Sequence, residues 1–220
     1  MKILFLRVGI DRGCGGTLSP RFADGTFEYV PIPESGELLP GRGVAYSDLA
    51  ARHGGTVDKY AGAALYTHYD PEFETFTYGE PSEPKRSQLL HLLPGDLLVF
   101  YSGFQGPDIA KGTCFVIGYL CVRRIHQGPF KEAWPPASLA NLHRNAHFRR
   151  KNPEPTLVVV EGEPTRSKLL KVALPLSDGK QKVLPEVEDV IGFGGSVMRA
   201  VGRWVPETHQ ETAHIWLTSH

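Results

Sequence analysis

Residues 84–122 constrain the fold most, because two apolar runs too short for helices lie there between turns marked by proline and glycine. Asp96-Leu-Leu-Val-Phe-Tyr101 and the run from Cys114 to Val122 are rich in β-branched and aromatic residues and read as buried strands. Before them, Leu89, Leu90, Leu92 and Leu93 make one apolar face of a short helix, with Pro84 suited to its first position and Pro94-Gly95 ending it. Short helix, turn, strand, strand describes the middle of a sheet. The expectation is an α+β fold, a single compact domain over 1–220 with a central mixed β-sheet or a partly closed barrel and short flanking helices. Residues 178–220 form a candidate C-terminal extension, helical or irregular.

Composition agrees, since 24 glycines and 18 prolines favour many turns over long helices. Twenty-four basic and 24 acidic residues give zero net charge, which argues against a general polyanion binder and leaves room for a local basic patch. Cys14, Cys114 and Cys121 are odd in number and form no CxxC pair, so a reducing, cytoplasmic compartment is the simplest expectation. The opening MKILFLRVGI is too short for a membrane span and reads as a first strand, residues 2–8. No membrane partner is expected.

That strand meets a loop containing Asp11, Gly15, Gly16 and Thr17, where glycines let backbone N–H groups approach an anion, although neither phosphate fingerprint is matched. A tight turn without a ligand is the alternative. Residues 27–32 read as a strand and 48–53 as a short helix. The stretch Thr67-His-Tyr-Asp-Pro-Glu-Phe-Glu74 is the richest in chemistry. If extended, it places His68, Asp70, Glu72 and Glu74 on one side, where an imidazole and carboxylates could move protons or hold a divalent cation. Pro71 argues against an unbroken strand, and the Asp-Pro step favours His68 and Asp70 over the later acids. The cofactor stays open.

Arg86 and Gln88 lie in the first turns of the central helix, where cations gain nothing from the helix dipole, so either an anionic partner or nearby acids accounts for Arg86. Tyr101 and Phe104, at the exit of the central strand, suit base stacking or core closure. A short helix over 137–142 leads to His143, Arg144, His147, Arg149, Arg150 and Lys151, the densest positive run, read as a phosphate contact or as a solvated face. A strand over 156–160 is followed by a turn and a helix starting near Ser167, with Arg166, Ser167 and Lys168 at its amino end as a second phosphate contact. Another helix is expected over 197–204. HExxH, GxSxG and the zinc-deaminase pattern are all absent from the sequence.

The segments Leu6-Arg-Val-Gly-Ile-Asp11 with Gly15-Gly16, Thr67-His-Tyr-Asp-Pro71, and Gln88 to Phe104 with its GDLLVFYSGF resemble the nucleotide modification associated domain family, third type. Asn145-Ala-His147, Glu161-Gly162 and Ser167 also resemble its pattern, while LRVGIDR departs from the RKGFDS of that family's first segment. Residues 86–122 are similar, more weakly, to the EVE and ASCH branches of PUA-like barrels. These resemblances imply a protein associated with base or nucleotide modification, whose partner is a nucleotide or nucleic acid. Two classes of function remain. One is a module binding a nucleotide or modified base; the other is an enzyme acting on one, with Asp11, His68 and Asp70 as acid–base or metal groups.

Overall fold

Eight of the nine residues of strand β6 (Leu97–Gln105) are buried, so both of its faces must be covered and both of its edges paired. In the computed structural model, which describes residues 1–8, 18–130, 137–152, 154–199 and 201–220, the rest of the sheet is laid against that strand. On one edge, β1 (Ile3–Arg7) runs parallel to Leu97–Tyr101, and β2 (Ser19–Pro20) continues the same edge at Phe104. The antiparallel β10 (Arg203–Trp204) lies outside β1. On the other edge runs β7 (Cys114–Gln127), antiparallel to β6, with a register shift after Phe100.

At 14 residues, β7 is long enough to have two neighbours on its far side. Its first half pairs with β9 (Lys168–Pro175) and its second half with β8 (Val158–Gly162), beyond which lies β5 (Thr77–Glu80). The result is a mixed sheet of eight strands, and among the described residues it does not close into a barrel. A separate ladder joins β3 (Ile32–Pro33) to β4 (Thr67–His68).

The core is a continuous cluster over β1, β6 and β7, with edge-on aromatic contacts such as Phe27 on Phe104 at 5.2 Å and Phe104 on Phe115 at 5.8 Å. Each such buried side chain contributes about 1.5–3 kcal/mol of transfer free energy. Residues 178–220 join this same core through Val183, Val187, Ile191, Val205, Ala213 and Leu217. They include α2 (Pro185–Ile191), with proline at its start, Glu186 and Glu188 in its first turn and Gly192 at φ 71° ending it, and α3 (Gln210–Thr218). The expected central helix is a single turn and a half, α1 (Lys85–Leu89). Among the described residues no helix is long and apolar enough to cross a membrane.

Five expectations need correction. The helix expected at Ser167 is strand β9: residues 163–166 form a turn, and the open edge of β7 takes up the chain that follows. Among the described residues of 197–204 only β10 is regular: the Val197 carbonyl accepts the Tyr101 hydroxyl at 2.9 Å and Gly202 is held by the Gln88 amide, bonds that tie the segment to β6 and α1. Of residues 27–31 only Phe27 pairs, in an isolated bridge to Arg21; Pro31 supplies no N–H to a ladder, and regular pairing starts at Ile32 in β3. The 48–53 helix is reduced to a 3-10 turn at Tyr46–Asp48, and residues 137–144 are likewise 3-10.

Candidate functional site

The site begins where β4 ends. Pro71 breaks the extended chain, so the alternation of side chains lasts for three residues only: His68 and Asp70 line one cavity while Tyr69 packs toward Tyr29 at 5.8 Å and lines another. Glu72 and Glu74 do not join them. Glu72 curls into its own turn and accepts from the Thr75 backbone at 2.8 Å, its burial raising the carboxyl, and Glu74 pairs with Arg144.

A third group arrives from far along the chain. Asn145 caps the 3-10 turn Ala146–Arg149 by accepting from the His147 N–H at 3.1 Å, and its amide donates to Asp70 at 3.1 Å and to the Thr77 hydroxyl at 3.3 Å. The Gly79 N–H donates to both Asp70 oxygens, at 3.0 and 3.2 Å. Glycine is required there, because a Cβ at position 79 would lie 2.5 Å from His147 Cδ2. Thus β5 and the Asn145 turn clamp Asp70 against His147, whose Nε2 is 3.4 Å from Asp70 Oδ2.

Both imidazoles are braced from behind by a carboxylate. His147 Nδ1 bonds Glu154, and His68 Nδ1 lies 2.9 Å from Glu34 and 3.2 Å from an Arg150 nitrogen. An ionised Glu34 only accepts, so the shorter contact is one in which His68 Nδ1–H donates to it. Arg150 itself reaches Glu34 at 2.9 and 3.0 Å and Glu154 at 3.0 Å. The two rings meet edge to face with centroids 4.8 Å apart.

The electrostatics follow from these pairings. Burial alone would lower the His147 imidazole, but the Asp70 and Glu154 carboxylates outweigh it and raise it from 6.5 to about 9. Burial works to raise Glu34, yet His68, the Gly36 N–H and Arg150 bring it down to about 2, and His147 and Arg150 hold Glu154 below its usual range against the same penalty. The cavity above this cluster has a volume of about 250 Å³. It is also lined by Arg7 and Val8 at the end of β1, by Tyr78 and Glu80 of β5, and by Lys85, whose ammonium is 3.6 Å from Glu80.

The structure therefore gathers His68, Asp70, His147 and Arg150 and leaves the other candidates elsewhere. Tyr101 and Phe104 are buried in the core, Gln88 holds Gly202, and Arg86 pairs with Glu83. Arg149 donates to the Arg144 and Arg42 carbonyls, and Lys151 pairs with Glu37, so most of the basic run is engaged within the protein. Ser167 accepts from the Cys121 N–H at 3.0 Å, Lys168 reaches the His220 carbonyl at 2.7 Å, and Arg166 sits in the turn before β9; with no helix following, the second phosphate contact has no helix terminus to rest on. Asp11, Gly15, Gly16 and Thr17 lie outside the described residues.

Sequence reasoning missed Glu34, Glu80 and Glu154. Glu34 stands in a plain loop with no motif around it, whereas the Asn145-x-His147 spacing was a signal that something near Glu154 was held in place.

Comparison with curated proteins and with solved structures returns no match. The family model described as nucleotide modification associated domain 3 matches residues 2–214, nearly the whole chain. The PUA-like resemblance finds no such support. The chain belongs to the nucleotide modification associated domain 3 family.

Proposed function

We propose that the protein binds a nucleotide, or a base presented by a nucleic acid, in the cavity over His68, Asp70 and His147 as part of nucleotide modification. The observation that carries this reading is the cavity itself, about 250 Å³ in volume, with two buried histidines and the buried side chain of Asp70 in its wall and Lys85 and Arg7 bringing positive charge to its lining. That volume lies below the range of about 300–1,000 Å³ usual for ligand pockets, so it suits one base or nucleotide rather than a length of strand. A base within a duplex would have to leave the stack to enter. Glu80 and Tyr78 supply an acceptor and a hydroxyl for a base edge, and Lys85 a cation for a phosphate.

Catalysis at the same place is the second reading, favoured by one arrangement: His147 held between the carboxylates of Asp70 and Glu154 in a buried setting. Asp70 and Glu154 favour the imidazolium form of His147, which can pass its Nε2 proton to a bound group, is left neutral, and takes a proton back on product release.

Equilibrium binding of mononucleotides and short single-stranded oligonucleotides tests the first reading. Lys85→Glu is expected to weaken binding at least tenfold and to flatten its dependence on salt, because one phosphate contact is lost. Undetectable binding to the whole panel removes the proposal. For the second reading, Asp70→Asn is expected to abolish any conversion of the bound nucleotide seen by chromatography, with the fold retained.

A further inference from the structure

We infer that His68, Asp70 and His147 hold a divalent first-row transition ion, each giving one donor atom, with the remaining coordination positions open to the cavity. The inference rests on reading that cavity as the working site, but neither its geometry nor its test needs a nucleotide.

The first support is a distance. His147 Nε2 and Asp70 Oδ2 are 3.4 Å apart, long for a charge-assisted hydrogen bond, which runs about 2.7–2.9 Å. Two donors each about 2.1 Å from one ion at a tetrahedral angle lie about 3.4 Å from each other. The separation is that of two ligands sharing an ion. One donor atom from each of His68, Asp70 and His147 falls within 4.8 Å of the others, so His68 closes the set with a small shift.

The second support is the ring of groups behind the donors. Glu34 and Glu154 occupy Nδ1 of the two imidazoles, which turns Nε2 of each toward metal duty and fixes the ring, the usual arrangement behind metal-bound histidine. Asp70 is fixed in turn by Gly79 and Asn145. Side chains of Asp70, His147 and His68 are 3%, 6% and 11% exposed, so three donors are already assembled largely out of water, and the ion would complete them rather than gather them from solvent. Two imidazoles and one carboxylate select a transition ion over Mg²⁺ or Ca²⁺, which want oxygen donors. Three protein ligands with an open side facing a cavity match a reactive site rather than a closed structural one.

The test uses the full chain, stripped with chelator and titrated calorimetrically with Zn²⁺ alone and Co²⁺ alone. One equivalent is expected, and Co²⁺ should give a visible d–d spectrum. His68→Ala should lower affinity at least about 100-fold, and Glu154→Gln about 10–100-fold although it gives the ion no ligand atom. His214→Ala, a half-buried residue of α3 that does not line this cavity, should leave affinity unchanged. Circular dichroism checks each fold; if His68→Ala does not fold, Glu154→Gln decides by affinity. Absence of saturable one-to-one uptake by the parent protein overturns the inference, as does equal affinity in the parent and in every folded variant of this set. Parent protein that takes up no ion but binds nucleotide sinks this inference alone, and metal uptake without nucleotide binding sinks only the reading above.

Discussion

The bend His68-Tyr69-Asp70 faces two cavities of similar size, about 250 Å³ on the side of the histidines and about 310 Å³ beside Phe27, Tyr29 and Arg52. Both contain charged groups, but those groups are used differently. In the second cavity Glu28 accepts from the Arg52 and His53 backbone N–H groups at 2.7 and 3.0 Å, and Arg52 donates to the Leu170 carbonyl at 3.0 Å. Glu28 and Arg52 are thus engaged with main chain and fasten the 49–53 loop to β9, while Glu74, also in its lining, pairs with Arg144. In the first cavity the Gly79 N–H holds Asp70, but His68, His147, Glu34, Glu154 and Arg150 pair side chain to side chain, and such partners can rearrange when a guest arrives. Burial of charge therefore does not distinguish a working site from a fastening; the identity of the partner does.

Three substitutions break or sharpen this contrast. Gly79→Ala should have the largest effect, since the new Cβ meets His147 at 2.5 Å and Asn145 Oδ1 at 3.1 Å among groups that have no room to yield. A loss of about 1–3 kcal/mol in denaturant unfolding is expected, together with loss of ligand binding. A variant as stable as the parent and equally competent would show that His147 is not pinned against β5. Glu28→Ala acts on the fastening side. It should cost about 1–2 kcal/mol, because the N–H groups it orphans belong to exposed residues that water can reach, and it should leave nucleotide and metal affinity unchanged. A change in either affinity would mean the two cavities are coupled. Tyr29→Phe should have the smallest effect: its buried hydroxyl has no hydrogen-bond partner among the described residues, so stability should hold or rise by up to about 1 kcal/mol. A clear fall in thermal midpoint would assign that hydroxyl a partner.

The sheet was legible where burial on both faces leaves a continuous apolar run, as in Leu97–Gln105 and Cys114–Gln127. His68 and Asp70 were legible because Asp-Pro marks a bend and confines the two side chains to one side of it. Ser167 misled because a hydroxyl after a turn looks alike whether it caps a helix or, as here, accepts from the neighbouring strand; only the open edge of β7 decides, and that edge is tertiary. The internal partners of the positive run around Arg150, read as a phosphate contact or a solvated face, were not legible. Glu34, Glu37 and Glu74 lie about 70 or more positions earlier in the chain, beyond the reach of any local pattern.

One guanidinium joins the carboxylates behind both imidazoles: Arg150 touches Glu34, 116 positions away, and Glu154, four positions away. The two rings are thereby yoked. A guest that tugs one of them off its perch drags on the shared arginine and is resisted by the other, so the pair answers as a single mechanical unit. Lysine in its place, with one compact ammonium instead of a planar fork, would cut the yoke and let each ring respond alone.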